Sequence, residues 1–106
     1  AGCEGIGFMP RDPRGEATCW LSVVLVDPRS GTSNQHLWEA LAARHIEARP
    51  AWKPMHLQPA FAEAQRVGGS CAEHIVALGM CLPSGPSLIY DDQTQVISTI
   101  GEVIDD

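Results

Sequence analysis

The sequence has no long apolar run and few basic residues. Its longest apolar stretch, Leu21 to Val26, is interrupted by Ser22 and is far shorter than the roughly 18–20 residues that cross a membrane. Seven Lys and Arg stand against thirteen Asp and Glu, which gives a formal net charge of −6. This charge repels phosphate backbones and anionic membrane surfaces. We therefore expect neither nucleic acid nor a membrane as a partner.

Export and metal-site signals are also absent from the sequence. The opening AGCEGIGFMP has no basic start and no long apolar stretch, so it does not resemble a secretion signal and favours a cytoplasmic protein. The cysteines do not form the close pairs of zinc or redox sites, and four are few for a disulfide scaffold. We interpret all four as reduced, with no metal site: Cys3, Cys19, Cys71 and Cys81.

The length and composition predict one folded domain. The chain has 106 residues, of which 44% are hydrophobic and 19% charged. A chain of this size buries roughly 60–70% of its unfolded surface, which is enough for one modest core. The first fifteen residues contain four glycines and two prolines, a composition typical of turns and linkers. We therefore predict a linker over residues 1–15 and a single domain over residues 16–106.

The first half of that domain predicts a strand, a helix and a second strand. The apolar run from Cys19 to Val26 predicts a strand that is covered on both faces or central in its sheet. Thr32 and Gln35 have capping-box spacing, which predicts a helix to about His45. The predicted inner face of that helix comprises Leu37, Trp38, Leu41, Ala42 and His45. Alternation over residues 46–53 predicts a strand that is at the sheet edge or ends at Pro50, because that proline cannot donate to a ladder.

The second half predicts two helices around a short strand. Ser70 and Glu73 repeat the capping-box spacing, and the helix should run to Leu78 with Gly79 as a left-handed C-cap. Residues 80–82 then predict a strand. A terminal helix begins near Asp91, and its inner face is predicted to comprise Val96, Ile97, Ile100, Val103 and Ile104. The fold class is therefore α+β, a small mostly antiparallel or mixed three-stranded sheet packed against helices.

Chemistry-bearing side chains concentrate in residues 49–61, RPAWKPMHLQPAF. An arginine, the only lysine, an indole and an imidazole fall within eight positions of a segment that three prolines stiffen. A rigid loop with mixed donors and an aromatic group is typical of a binding surface. In the alternative interpretation, Trp52 and Phe61 pin the loop to the core while Lys53 and His56 are merely solvated.

This segment, together with FMP at residues 8–10, Trp20-Leu21, LPSG at residues 82–85 and the helix start DDQ, resembles the carboxyl-terminal part of the DegT/DnrJ/StrS family. These are pyridoxal-phosphate aminotransferases that act on keto sugars attached to nucleotides. The resemblance extends from about Gly5 to Ile104. It implies the small domain of a fold-type-I aminotransferase, which closes over the active site of a homodimeric enzyme in amino-sugar or surface-polysaccharide biosynthesis.

The resemblance also implies specific roles. The cofactor and its Schiff-base lysine would belong to a missing large domain, so the fragment alone would be inactive. Lys53 belongs to the WKP motif and is not that lysine. The implied ligands of the whole enzyme are a nucleotide-linked keto sugar and an amino donor such as glutamate. The implied substrate contacts are Trp52, Lys53, Met55 and His56, with Arg49 as an alternative interface ion pair.

Two positions depart from the family pattern. Leu88-Ile89 lacks the hydroxyl that usually caps the last helix, and His45 stands where a glycine commonly ends the first.

We also expect self-association, because the chain carries more large apolar groups than one small core needs: Trp20, Trp38, Trp52 and Phe61.

Two other functions remain open from the residues. The chain could be a free-standing, non-catalytic module for binding or dimerisation. Alternatively, Cys71 with His56 or His74 could form a Cys–His hydrolase, although residue types alone support that interpretation.

Overall fold

A computed structural model describes residues 4–105 and confirms the α+β class. The strands are β1 (Ile6–Phe8), β2 (Ser22–Val26), β3 (Arg49–Pro50) and β4 (Gly79–Leu82); the helices are α1 (Asn34–Ala43), α2 (Ser70–Leu78) and α3 (Tyr90–Asp105). Short 3-10 turns follow β2 and β3. The sheet is antiparallel throughout, with four strands in the order β1-β2-β4-β3 rather than the three predicted.

The additional strand, β1, lies inside the segment predicted to be a linker. Ile6 pairs with Val26, and Ile6 also packs against the core. Gly5, with φ +93°, accepts a hydrogen bond from the Asp27 backbone N–H at 2.8 Å and so extends the pairing. The expectation of turns alone is therefore wrong for residues 6–8, because a glycine-rich run can still supply the edge pairing that β2 needs. The domain boundary after residue 15 stays a prediction.

The core lies between one face of the sheet and the helices α1 and α3. Val24 pairs with Met80 across β2 and β4, and both side chains are buried, as are Leu37 and Leu41 on α1. Because successive strand residues alternate between faces, Val23 and Leu25 lie on the opposite face. That face receives α2, which contacts both central strands. The cluster of buried core residues comprises Val24, Val26, Leu37, Leu41, Ile46, Ala48, Met80, Val96 and Ile100.

The predicted strands over residues 19–26 and 46–53 are shorter in the structure. Cys19 has a left-handed φ of +53°, which an extended strand excludes, so β2 begins at Ser22. The second strand is reduced to Arg49–Pro50 and occupies the sheet edge as predicted.

Of the cysteines, Cys19 and Cys71 are exposed and Cys81 is buried, all three with free thiols. Burial raises the pKa of the Cys81 thiol. Cys3 lies outside the described residues.

Helix α1 starts one residue later than the predicted capping box implies. Ser33 is the N-cap, and its hydroxyl accepts from the His36 N–H at 3.1 Å. Thr32 instead bonds the His36 ring, and Gln35 donates to the next turn of the helix. The helix ends at Ala43, and His45 follows with φ +58°, the backbone conformation that a glycine adopts without strain. Trp38, Ala42 and His45, predicted for the inner face, are exposed.

Both predicted caps of α2 are wrong, although its bounds agree with the prediction. The N-cap is Gly69, with φ +115°, and no side chain caps the helix. Gly79 is extended, with φ −86° and ψ 145°, and is the first residue of β4. A Cβ at Gly79 would lie 2.3 Å from the Ile75 carbonyl oxygen and 2.8 Å from the Ala51 Cβ. Glycine is therefore needed at this position because a side chain would clash with its neighbours, and not because the backbone is left-handed.

Helix α3 differs from its predicted inner face at two positions. Ile97 is exposed, whereas Thr99 is fully buried. The Thr99 hydroxyl donates to the Gln95 carbonyl at 2.8 Å and accepts from Arg44 Nη1 at 3.0 Å. Arg44 also pairs with Glu102, so its guanidinium joins α1 to α3. A buried polar group is tolerated where its hydrogen bonds are satisfied. The burial of Thr99 could not be predicted from the spacing of apolar residues, because threonine is not part of that pattern.

The absent hydroxyl before α3 has a local substitute. The Asp92 carboxylate accepts from the Ile89 backbone N–H at 3.3 Å, which gives one unpaired donor at the helix start a partner. Within residues 4–105, no helix has the length and apolar character needed to cross a membrane.

Candidate functional site

The candidate site is the segment after β3, residues 52–61, which we call the motif loop. Pro54 and Pro59 introduce two 3-10 turns, and the Gln58 side-chain amide donates back to the Lys53 carbonyl at 3.1 Å. Proline fixes φ near the value that such turns require. The loop is thus locally stiff without belonging to a helix or the sheet.

Three of the four predicted substrate contacts lie on the surface. The exposed fractions of Trp52 and Met55 are 69% and 57%, and Lys53 is also exposed. Trp52 contacts Trp20 edge to face, with ring centroids 5.5 Å apart and an interplanar angle of 78°. Trp20 is itself 67% exposed. The pair forms an aromatic surface that no described part of the chain covers.

An open groove of about 850 Å³ begins at Trp52 and Lys53 and runs between α1 and β3. Trp38 lines it and fixes its wall, because the indole Nε1 donates to the Ala48 carbonyl at 2.9 Å. Arg49 and Lys53 bring positive charge to the rim. Arg49 pairs with Glu47 two residues away at 2.6 Å, which leaves Lys53 as the cation without an ion-pair partner on this rim within the described residues.

The fourth predicted contact, His56, is held differently. Its side chain is largely buried, and Nε2 lies 2.8 Å from Glu73 Oε1 on α2. Arg66 Nη1 reaches the same oxygen at 3.1 Å. The hydrogen bond from His56, followed by the charge of Arg66, lowers the pKa of Glu73 below its ordinary value. The structure therefore leaves Trp52, Lys53 and Met55 exposed in the motif loop and ties His56 to α2.

Sequence reasoning missed the roles of Glu73 and Arg66. Glu73 was singled out only through capping-box spacing, and its carboxylate turns to the motif loop instead of the helix start. A spacing of seventeen residues between His56 and Glu73 carries no local signal, since only the tertiary fold brings them together.

Neither a metal centre nor a Cys–His pair is present in residues 4–105. No group of three His, Cys, Asp or Glu side chains could hold a metal ion there. Cys71 is exposed, and the described hydrogen bonds do not join its thiol to either His56 or His74.

Comparison with known proteins now identifies the family. The model of the DegT/DnrJ/EryC1/StrS aminotransferase family matches residues 1–101. The chain belongs to this family. It is 38% identical over 101 residues to EpsN of Bacillus subtilis strain 168, which is named as a pyridoxal phosphate-dependent aminotransferase. It is 28% identical over 90 residues to the GDP-perosamine synthase of Caulobacter vibrioides.

The alignments cover most of this chain and a small part of each relative. They span 92% of the chain and 26% of EpsN, and 85% of the chain and 24% of the synthase. The chain thus corresponds to about a quarter of the length of these curated relatives. The crystal structure of S. venezuelae DesV in complex with a ketimine intermediate superposes with a TM-score of 0.80 at 29% identity, covering 100% of this chain and 28% of DesV.

Pyridoxal phosphate requires more than these residues offer. Its site combines a Schiff-base lysine, an acidic or basic partner for the pyridine nitrogen, and a phosphate cradle. Lys53 is the only lysine in the sequence, is exposed and has no ion-pair partner within residues 4–105. The described residues therefore do not fit the whole cofactor, and we assign it no contacts in this chain.

Proposed function

We propose that this chain is the carboxyl-terminal small domain of a pyridoxal-phosphate-dependent aminotransferase that aminates a keto sugar carried on a nucleotide. Family membership and the relation to GDP-perosamine synthase support this proposal. In it, a preceding large domain supplies the cofactor site and its lysine, and the boundary between the two domains falls within residues 1–15, with β1 belonging to the sheet of the small domain. The whole enzyme would work in the cytoplasm, in amino-sugar or surface-polysaccharide biosynthesis.

The observation that carries the proposal is the exposure of Trp52, Lys53 and Met55 within four residues of the motif loop. A folded domain seldom leaves several large apolar side chains exposed together unless something binds there. In the proposed enzyme this surface closes over the active site. Lys53 provides a compact positive charge suited to a phosphate group, Trp52 offers a flat apolar face, and Met55 adapts to the shape of a sugar.

The decisive experiment is to isolate the native protein from source cells with an antibody against this domain. We expect an intact mass several times 11.4 kDa, the absorbance of bound pyridoxal phosphate, and amino transfer from glutamate to a nucleotide-linked keto sugar. The 106-residue chain by itself serves as the control and should show no transfer. A native mass near 11.4 kDa without cofactor would overturn the proposal and leave a binding or dimerisation module.

The role of the motif loop is tested in the same native protein. Lys53→Gln should raise KM for the sugar nucleotide about tenfold or more, because it removes a charge-assisted contact. The matched control is Arg29→Gln, which removes an exposed cation whose partner is its neighbour Asp27. Equal effects of the two variants on KM would remove Lys53 from the substrate site.

We further propose that the whole enzyme is a homodimer and that the isolated chain self-associates through its aromatic surface. Sedimentation of the isolated chain should show a concentration-dependent dimer. Trp20→Ser with Trp52→Ser should weaken it, whereas Tyr90→Ser, at a residue that is also exposed, should not. A monomer at millimolar concentration would contradict this use of the surface.

A further inference from the structure

The hydrogen bond between His56 and Glu73 has a chemical consequence for the histidine ring. Nε2 lies 2.8 Å from Glu73 Oε1. An ionised carboxylate only accepts hydrogen bonds, so the nitrogen that meets it must carry the proton. Glu73 is kept ionised by its neighbours, since His56 and Arg66 both lower its pKa. In the neutral form of the ring, the hydrogen therefore lies on Nε2 and the lone pair on Nδ1.

Two further contacts hold the ring in place. Gly69 packs against it: a Cβ added there would lie 2.9 Å from His56 Cε1 and 3.2 Å from Nε2. Gly69 also has φ +115°, a conformation that side chains disfavour. Arg66 shares the carboxylate oxygen with His56 at 3.1 Å, so the carboxylate is anchored from two sides. A flip of the ring would put Cε1 in the place of Nε2 and break the hydrogen bond to Glu73.

The second ring nitrogen remains available. None of the hydrogen bonds described for residues 4–105 uses Nδ1 of His56, and no buried side-chain nitrogen or oxygen in that range lacks a partner. Nδ1 therefore keeps access to solvent. His56 lies one residue beyond Met55 and three beyond Lys53, so this acceptor belongs to the same loop as the exposed candidate contacts.

We infer that Glu73 is a positioning residue that fixes the tautomer of His56, so that Nδ1 is presented as a hydrogen-bond acceptor for a hydroxyl group of the bound sugar nucleotide. This inference rests on the proposed function for its ligand, but not for the tautomer. Gly69 and Arg66 support this arrangement, because Gly69 lies against the His56 ring and Arg66 holds the Glu73 carboxylate. A positioning carboxylate on a histidine typically sets its orientation in this way.

The first test needs no enzyme activity. In the chain labelled with 15N, long-range 1H–15N spectra at pH 8 should show His56 as the Nε2–H tautomer. Glu73→Ala should convert the ring to a mixture, because its anchor is gone, whereas Glu73→Gln should retain Nε2–H, since a carboxamide oxygen still accepts. Glu63→Ala, an exposed carboxylate within the same part of the chain, is the control.

Two results would overturn the inference: an Nδ1–H tautomer in the unaltered chain, or identical ring signals before and after Glu73→Ala. The spectrum of the unaltered chain decides the assignment even if Glu73→Ala fails to fold. The backbone amide spectrum of Glu73→Gln checks that its fold is intact.

The second test uses the native enzyme with its sugar-nucleotide substrate. Glu73→Ala should raise KM about tenfold, the cost of one substrate hydrogen bond, while Glu73→Gln should restore most of the affinity. Unchanged KM in Glu73→Ala would contradict a substrate role for Nδ1. A protein that shows no amination in any form would overturn the proposed function, while the spectra would still decide the tautomer.

Discussion

The face of the sheet beneath α1 and α3 and the motif loop use apolar residues in opposite ways. On the sheet face, Leu37 and Leu41 are fully buried and pack with the central strands. In the motif loop, Trp52 and Met55 are mostly exposed, and the loop is held by polar contacts such as that between His56 and Glu73. Apolar side chains are thus buried in the first region and remain exposed to solvent in the second.

This difference separates the region that supplies folding free energy from the region that we propose for binding. Burial of apolar area supplies most of the stability of a small domain, and the sheet face contains most of that burial. Exposed apolar groups contribute little to folding and instead favour association. We therefore expect substitutions on the sheet face to change the free energy of unfolding, and those in the motif loop to change binding.

The largest effect should come from truncating the buried face. Leu41→Ala should lower the free energy of unfolding by about 2–5 kcal/mol, through lost transfer free energy and the cavity that remains. Urea denaturation followed by circular dichroism measures it. Leu57→Ala, the same substitution at an exposed position of the motif loop, should cost less than about 1 kcal/mol. Equal losses would erase the distinction between the regions.

Two glycine substitutions test the effect of packing by adding a single methyl group at a crowded and at an open position. Gly79→Ala should destabilise the chain by about 1–3 kcal/mol, because its Cβ would meet the Ile75 carbonyl at 2.3 Å. Gly101→Ala on α3 has nothing within 4 Å of the added Cβ and should stabilise the helix by about 0.5–1 kcal/mol. Thermal unfolding of both variants tests this, and a loss at Gly101 would contradict the packing there.

The two tryptophans beside the groove should respond differently to removal of the indole N–H. Trp38→Phe should cost about 1 kcal/mol, since the indole donates to the Ala48 carbonyl at 2.9 Å. Trp52→Phe should change the free energy of unfolding by less than about 0.5 kcal/mol, because its indole is exposed. Chemical denaturation would contradict the comparison if Trp52→Phe proved the more costly.

The smallest effect is the pH dependence of the contact between the loop and α2. The pKa of Glu73 is lowered in the folded chain, so its contribution is present above the ordinary value of 4.5 and disappears as pH falls through the lowered value. The difference in Tm between the unaltered chain and Glu73→Gln should therefore shrink between pH 6 and pH 3. Asp27, whose partner Arg29 lowers its pKa to about 2, is present in both proteins, so its titration cancels in this difference.

Sequence periodicity predicted the elements better than their ends. The helices around Leu41, Val96 and Ile100 were expected from apolar spacing, because a helix buries every third or fourth residue. The caps were not, since Ser33 and Thr32 are equally suitable by type and only backbone geometry selects one. Strand β1 was missed because its residues have no apolar alternation beyond Ile6 and Phe8, and its partner β2 lies elsewhere in the chain.

The candidate site was located by its motif, while its internal contacts were not. The segment WKPMHLQP marked the loop and its family, and the prolines indicated its stiffness. The carboxylate that meets His56 was taken for a helix cap, because spacing within α2 suggested a local role for Glu73. A long-range hydrogen bond leaves no periodic trace in the sequence.

Local patterns were enough to predict the α+β class, the family and the loop that carries the candidate contacts, because apolar periodicity and a contiguous motif are properties of neighbouring residues. Contacts between distant segments were needed to show that β1 completes the sheet, that close packing requires Gly79, and that Glu73 bonds His56. Each of these depends on two segments distant in sequence, and only the fold determines which distant groups come within contact distance.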